Sequence, residues 1–353
     1  ADSVAVAISS EDGKYALTEK EPFHFESKNN VSFDDKAIRV DSSRTYQSIL
    51  GIGASLEHAT CYNLSLLDEG TRKNTMEKMV SVESGIGMNL MRICIGTSDF
   101  VGEPWYSYND LPEGETDPNM EEFSIEKDRR YVLPTLKIAL RKNPDLRFVA
   151  SPWSPPGWMK TNGSMLAGKL KPEYYDAFAL YLVKSIRAYE AEGIPIHAIT
   201  TQNEPHYPNP EYPTCHWTAK EQRDFIRDHL GPLFQKENIE TEVWCWDHNW
   251  NNLDFPRTVL SDPIAGPYVT GTAFHLYEGS VEAQSVLHRE FPDKDIYFTE
   301  GSTFATTGAV EIIDILRNWA RSYNAWVLLL DEHRKPNNGP HHADATPIEL
   351  LDD

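Results

Sequence analysis

Short runs of apolar residues alternate with longer stretches in which apolar side chains return every three or four positions, from about residue 46 to residue 331. The short runs read as strands: 49–56, 88–95, 147–153, 198–204, 242–248, 269–277, 295–300 and 325–331. Most are continuously hydrophobic, as expected of parallel strands buried on both faces. The longer stretches read as amphipathic helices over 71–82, 125–141, 172–192, 219–234 and 309–322. The third of these carries Phe178, Tyr181, Leu182 and Ile186 on one side. Eight strands alternating with helices predict an α/β chain closed into a (β/α)8 TIM barrel. No G-x-G-x-x-G or G-x-x-x-x-G-K-[ST] opens a helix after a strand, which removes dinucleotide and P-loop readings. Residues 1–45 are different, being polar with short alternating stretches at 3–9 and 37–40. They read as a β-rich lead-in, with 46–353 as the barrel.

Composition narrows the chemistry. Fifty-four acidic against 33 basic residues give a net charge of −21, which repels phosphate backbones and anionic lipid. Nucleic acid is therefore excluded as a partner, and a neutral sugar is not. Aromatic residues at 11% supply ring faces for pyranose C–H surfaces. No uninterrupted apolar run approaches the ~18 residues of a membrane span. Cys61, Cys94, Cys215 and Cys245 form no C-x-x-C, so neither a zinc ribbon nor a thioredoxin-type site is expected. The chain begins Ala-Asp-Ser without an initiator Met, and N-x-S/T triplets start at Asn30, Asn63 and Asn162. Both features suit a trimmed, extracytoplasmic protein.

In a barrel enzyme the working groups sit where strands end. Here the ends read Asp99; Ser151-Pro152-Trp153; Gln202-Asn203-Glu204-Pro205; Trp246-Asp247-His248-Asn249; His275-Leu276-Tyr277; Thr299-Glu300-Gly301; and, around the eighth strand, Trp326 and Asp331-Glu332. Glutamates thus end strands four and seven. One such residue alone is more often a solvated carboxylate. A pair across a barrel mouth is what glycoside cleavage needs: one acid to protonate the leaving oxygen and one carboxylate to attack the anomeric carbon. Burial and neighbouring negative charge are expected to raise the acid's pKa. His275 is expected to hydrogen-bond the nucleophile, and Trp153 with Trp326 to form an aromatic wall. Asp247-His248 mimics a metal pair, but a zinc site needs at least three ligands. Neither metal nor cofactor is expected.

Several longer motifs resemble glycoside hydrolase family 30, which includes glucosylceramidase. They are Gly51-Ile-Gly-Ala-Ser, Gly85-Ile-Gly-Met-Asn-Leu-Met-Arg92, Tyr106-Ser-Tyr108, the run from Ala150 to Gly163, Gln202-Asn-Glu-Pro205, Gln222-Arg-Asp-Phe-Ile226 and Thr299-Glu300. The resemblance implies a retaining β-glycosidase with Glu204 as acid/base and Glu300 as nucleophile. It implies sugar contacts from Asp99, Trp153, Asn203, His275, Tyr277 and Trp326, with Asn203 on the 2-hydroxyl and Arg92 supporting a carboxylate. The implied substrates are β-glucosides: glucosylceramide, β-1,6-glucan or simple glucosides. Xylosides or xylan, fucosides and galactans are the alternatives within the family. An inactive carbohydrate-binding barrel is the alternative outside enzymes. Two departures stand out. Arg334-Lys-Pro-Asn337 replaces the family's Gly-Gly-Pro-Asn, and the last barrel helix and most of a C-terminal β-sandwich are expected to be missing, which would leave the lead-in strands an open edge.

Overall fold

The computed structural model describes residues 3–10, 12–15, 17–25, 41–302, 305–341 and 346–351. Strands β1 (Ser3–Ile8) and β2 (Thr18–His24) form an antiparallel hairpin in the lead-in. The expected stretch at 37–40 and the Asn30 triplet lie outside the described residues. Eight strands then build the barrel: β3 (Gly51–Ala54), β4 (Leu90–Ile95), β5 (Arg147–Pro152), β6 (Ile196–Thr200), β7 (Glu242–Asn249), β8 (Gly271–His275), β9 (Asp295–Glu300) and β10 (Ser322–Ala325). Strands β4 to β9 pair in parallel in sequence order, and β10 pairs parallel with β3. Bridges from Ser55 to Arg92 and from Ile296 to Ala320 join these two sheets, so the (β/α)8 barrel closes.

The period-two alternation of each strand decides what points inward. One inward layer is apolar: Leu90, Val149, Ala198, Trp244, Ala273 and Tyr297, one residue from each of β4 to β9. The two alanines make room for Trp244 and Tyr297, whose rings stack at 3.6 Å. Two residues further along, towards the strand ends, the inward positions turn polar.

Helices α1 (His58–Leu66), α2 (Glu69–Val80), α3 (Val132–Lys142), α4 (Tyr175–Ala191), α5 (Ala219–Phe225), α6 (Gly231–Glu237), α7 (Asp254–Leu260), α8 (Glu282–Glu290) and α9 (Ala305–Arg317) lie between strands. Asp68 caps α2 through the Gly70 and Thr71 amides, and Thr218 and Glu221 form a capping box on α5.

Three expectations need correction, and three helices were not foreseen. The single helix over 219–234 is two, joined by a π turn at Ile226–Leu230. Pro232 donates no backbone hydrogen bond and its ring crowds the preceding turn, which widens there. Helix α1 did not stand out in the sequence because polar His58, Thr60 and Asn63 are buried along with its apolar residues, so no apolar face repeats, and α7 and α8 are short. The fourth barrel strand stops at Thr200, so Asn203 and Glu204 stand on the loop beyond it. The eighth barrel strand is β10, three residues ahead of the apolar run 325–331. Its polar residues are paired inside, Asn324 to the Leu90 carbonyl at 2.8 Å and Ser322 to that of Phe298 at 3.1 Å. The tail of the apolar run, β11 (Leu329–Asp331), pairs instead with β12 (Ile348–Leu350).

All four cysteines are buried and unpaired. Asn63 is buried and bonded to the Lys335 carbonyl at 2.9 Å, which closes it to a glycan; Asn162 is exposed. Among the described residues no helix is long and apolar enough to cross a membrane.

Candidate active site

A cavity of about 470 Å³ opens at the strand ends. Glu204 and Glu300 face each other across it, with Asp99, Trp153, Asn203, Tyr277 and Trp326 around them. Carboxylate oxygens of the two glutamates and a ring nitrogen of His275 all lie within 4.8 Å of one another. Every residue expected at the site from the sequence is therefore at or directly beneath the cavity.

Arg92 lies fully buried on the inward face of β4. One guanidinium nitrogen donates to Glu300 Oε2; another donates to Asn203 Oδ1 at 2.7 Å and to Asp247 Oδ2 at 2.9 Å. The bond to Asn203 fixes that amide with its NH2 group left over for another acceptor. Tyr277 donates its hydroxyl to Glu300 Oε1 at 3.0 Å. Trp153 and Trp326 stack on each other at 5.0 Å, with Arg92 within 4.8 Å of the first ring and 5.7 Å of the second. Much of their aromatic surface is thus spent on one another and on Arg92, and they line the cavity as a compact block.

Glu204 sits at φ 45°, a left-handed backbone held by its own N–H donating to the Asp247 carbonyl at 3.0 Å. Its Oε1 meets His275 Nδ1 at 3.1 Å and lies 3.8 Å from His248 Nε2. The other His275 nitrogen meets Asp247 at 3.0 Å. So His275 bonds the opposite glutamate from the one anticipated; its distance to Glu300 is 3.9 Å.

Burial alone would lower the His275 pKa, but the carboxylates of Glu300, Asp247 and Glu204 raise it to about 9. Burial lowers His248 to about 4, the cationic His275 reinforcing this. Asp99 is buried without a cationic partner, so desolvation, then the charges of Glu300 and Glu204, push its carboxyl well up. The glutamate pair corrects the expectation of a raised acid. Burial raises Glu204, but His275, His248 and Arg92 outweigh it and the carboxyl ends below its ordinary range. Burial raises Glu300, and Glu204 adds to this against His275 and Arg92. Hydrogen bonding runs against that order, since Glu300 accepts from Arg92 and Tyr277, donors that favour the carboxylate. These direct bonds decide the order: a proton on Glu300 would weaken two contacts, whereas a proton on the Glu204–His275 bond only changes side.

Glu204, His275 and Glu300 also have the spacing of a three-ligand metal site. An imidazole protonated on both nitrogens has no lone pair to give. With each ring nitrogen facing a carboxylate, His275 is built as a cation rather than a ligand.

Several lining residues escaped the sequence reading: Phe100, Tyr207, Tyr212 and His341. The His341 ring lies 5.5 Å from Tyr212 and 5.9 Å from Tyr207 at the rim. The segment that departs from the family motif folds back over the site, where Asn338 N–H donates to the Asp99 carbonyl at 2.9 Å. No local pattern marks loop residues of this kind. Asp247 did carry a signal: an acid inside an apolar strand needs a buried cation, and Arg92 is the matching charge in β4.

Residues 49–351 match the description of the glycosyl hydrolase family 30 TIM-barrel domain. An endo-1,6-β-D-glucanase of Neurospora crassa is 34% identical over 307 residues, 84% of this chain and 62% of that protein. The endo-1,6-β-D-glucanase BGN16.3 of Trichoderma harzianum is 34% identical over 331 residues, 88% of this chain and 65% of that protein. The chain thus spans less than two thirds of the length of either fungal relative. The solved endo-β1,6-glucanase BT3312 superposes with a TM-score of 0.87 at 30% identity, over 99% of this chain and 80% of that one.

Proposed function

The chain belongs to glycosyl hydrolase family 30, and we propose that it is a retaining β-glycosidase acting on β-linked glucose, with β-1,6-glucan as substrate class. The observation that carries this reading is the carboxylate separation, within 4.8 Å. Retaining enzymes hold the two groups ~5–5.5 Å apart, whereas inverting enzymes need ~6.5–9.5 Å to admit a water. Glu300 attacks the anomeric carbon as Glu204 protonates the departing glycosidic oxygen. The C–O bond breaks and a glycosyl ester forms on Glu300. Glu204, now ionised, takes a proton from water, which attacks the same carbon and releases Glu300. The proton that Glu204 gives up in the first step comes to it along its 3.1 Å bond to His275, and the proton taken from water in the second returns along the same bond.

The neighbours divide the remaining work. Arg92 and Tyr277 hold the Glu300 carboxylate, and the spare NH2 of Asn203 takes the sugar 2-hydroxyl, a contact that strengthens in the transition state. Asp99, kept neutral by its surroundings, donates to a sugar hydroxyl. The Trp153–Trp326 block offers its free surface to the pyranose. A glucan rather than a lipid aglycone is supported by the polar and aromatic rim of Tyr207, Tyr212, Glu278 and His341, and by the names of the fungal relatives. A polymer of this kind is met outside the membrane, which suits an extracytoplasmic site of action.

A 2-deoxy-2-fluoro-β-glucoside with a good leaving group tests the core of the reading. Slow hydrolysis of the ester should allow peptide mapping to find the label on Glu300, while β-1,6-glucan is cut faster than xylan or glucosylceramide micelles. A label on any other carboxylate, or a product of inverted configuration, overturns the assignment.

A further inference from the structure

The inward positions two residues beyond the apolar layer are Arg92, Ser151, Thr200, His275 and Thr299, by simple alternation from Leu90, Val149, Ala198, Ala273 and Tyr297. Alternation from Trp244 on β7 would put Trp246 in this layer. It does not, because the β7–β8 register slips between Trp246 and His248. Trp246 and Asp247 take φ of 72° and 62°, a conformation few non-glycine residues adopt. This bulge inserts one residue and turns Asp247 inward in place of a tryptophan.

Once there, Asp247 meets every other member of the layer. Its Oδ2 faces Arg92 at 2.9 Å, Ser151 at 3.0 Å and Thr200 at 2.6 Å; its Oδ1 faces His275 at 3.0 Å and Thr299 at 2.6 Å. Two of these partners lead onward. Arg92 bonds Glu300, and His275 bonds Glu204. Its backbone carbonyl adds a third tie by holding the strained Glu204 amide. Asp247 is itself fully buried and does not line the cavity.

Resting on the glycosidase reading above, we propose that Asp247 is a positioning residue for both half-reactions, aligning Glu300 through Arg92 and Glu204 through His275, and that the β7 bulge exists to place it. One carboxylate fixes both relays, so the spacing of the two glutamates is set from below. Its charge also keeps the His275 imidazole a cation. Glu204 faces His275 at 3.1 Å and His248 at 3.8 Å; Glu300 faces Arg92, Tyr277 and, at 3.9 Å, His275. Neutralising Asp247 loosens the hold on the His275 proton, which Glu300 and Glu204 otherwise share. Glu204, at 3.1 Å from His275, and Glu300, at 3.9 Å, then face a weaker cation, and both hold protons more tightly.

Asp247→Asn keeps size and removes charge. Its rate of labelling by the fluoroglucoside should fall roughly 100-fold or more, the scale of an ångström-level misplacement. The loss in kcat/KM should be similar for good and poor leaving groups, and both limbs of the pH profile should move to higher pH. Thr299→Val, which loosens Asp247 without touching its charge, should slow labelling and leave the limbs in place; it also serves if Asp247→Asn does not fold. Variants that melt lower but keep the wild-type labelling rate and pH profile assign Asp247 a purely structural part and overturn the inference alone. A wild-type enzyme labelled elsewhere than Glu300 removes the glycosidase reading, and this inference with it.

Discussion

Asp128 and Asp247 are both fully buried carboxylates that end below the usual carboxylate range, yet they differ in what donates to them. Asp128, in the turn Glu126–Arg129, accepts from the hydroxyls of Tyr106 and Tyr108 at 2.6 Å and Tyr189 at 2.5 Å, with His58 at 3.5 Å. These donors belong to the β4 loop, α4 and α1, and none of them lines the cavity. Burial works against the Asp128 charge, and the His58 and tyrosine contacts outweigh it. Asp247 relies on Arg92 and His275, and both pass the contact on to a glutamate. A buried charge thus stays structural when its donors end the chain of contacts. It reaches chemistry when they carry it further. Glu57 is a third case. It caps α1 through the Ala59 and Thr60 amides at 2.5 and 2.8 Å, and burial outweighs these bonds and the neighbouring His58, raising it to about 7.

The contrast breaks most visibly at Asp128. Asp128→Ala takes the shared carboxylate acceptor from three buried tyrosine hydroxyls, leaving Tyr106 its contact with His58 and Tyr108 and Tyr189 their contact with each other, and should cost roughly 3 kcal/mol, at ~1 kcal/mol or somewhat more for each buried bond lost. Denaturant melts should show that loss while kcat/KM per folded molecule stays at the wild-type value. A large fall in activity with an unchanged melt would join Asp128 to the site and erase the distinction.

Glu57 gives the next effect, and its sign follows from the raised pKa. The folded carboxyl titrates at about 7 against 4.5 unfolded, so its stabilising contribution is complete below pH 4.5 and is lost as pH rises through 7. Glu57→Gln keeps an acceptor for the amides and does not titrate. Relative to wild type, the variant should gain about 3 kcal/mol of stability between pH 4.5 and pH 8, at ~1.36 kcal/mol per pKa unit. A stability difference flat with pH would mean that the charge at Glu57 finds a partner.

How much of this was legible in the sequence follows from periodicity. The barrel, seven of its eight strand positions and both glutamates came from apolar runs and from what ends them. Strand β10 was misjudged because its inward polar residues, Ser322 and Asn324, are satisfied by neighbouring strand carbonyls that only the closed barrel supplies. The π turn was announced by Gly231-Pro232 and overlooked because the helical period runs on across it. Asp247 was visible as a residue and not as a role, since a bulge leaves no mark on hydrophobic patterning: the slip exists only relative to β8. The rim residues Tyr207 and His341 depend on long-range loop closure, to which local sequence is blind.

The smallest expected effect tests the contrast from the cavity side. Tyr277 donates one hydroxyl to Glu300, at 3.0 Å, and sits on a loop at the mouth rather than within the polar layer. Removing it leaves Arg92 and Asp247 in place, so the geometry of Glu300 is kept while its anion loses one donor. A hydrogen bond to a charged group is worth ~1.5 kcal/mol or somewhat more, which corresponds to about a tenfold change in rate. Tyr277→Phe should therefore lower kcat/KM by about tenfold and leave the melting temperature nearly unchanged. Because the lost donor favoured the ionised form, Glu300 should hold its proton to higher pH, moving the acid limb up and leaving the alkaline limb where it was. A shift in the alkaline limb instead would tie the hydroxyl to Glu204, and the two sides of the cavity would then have to be assigned the other way round.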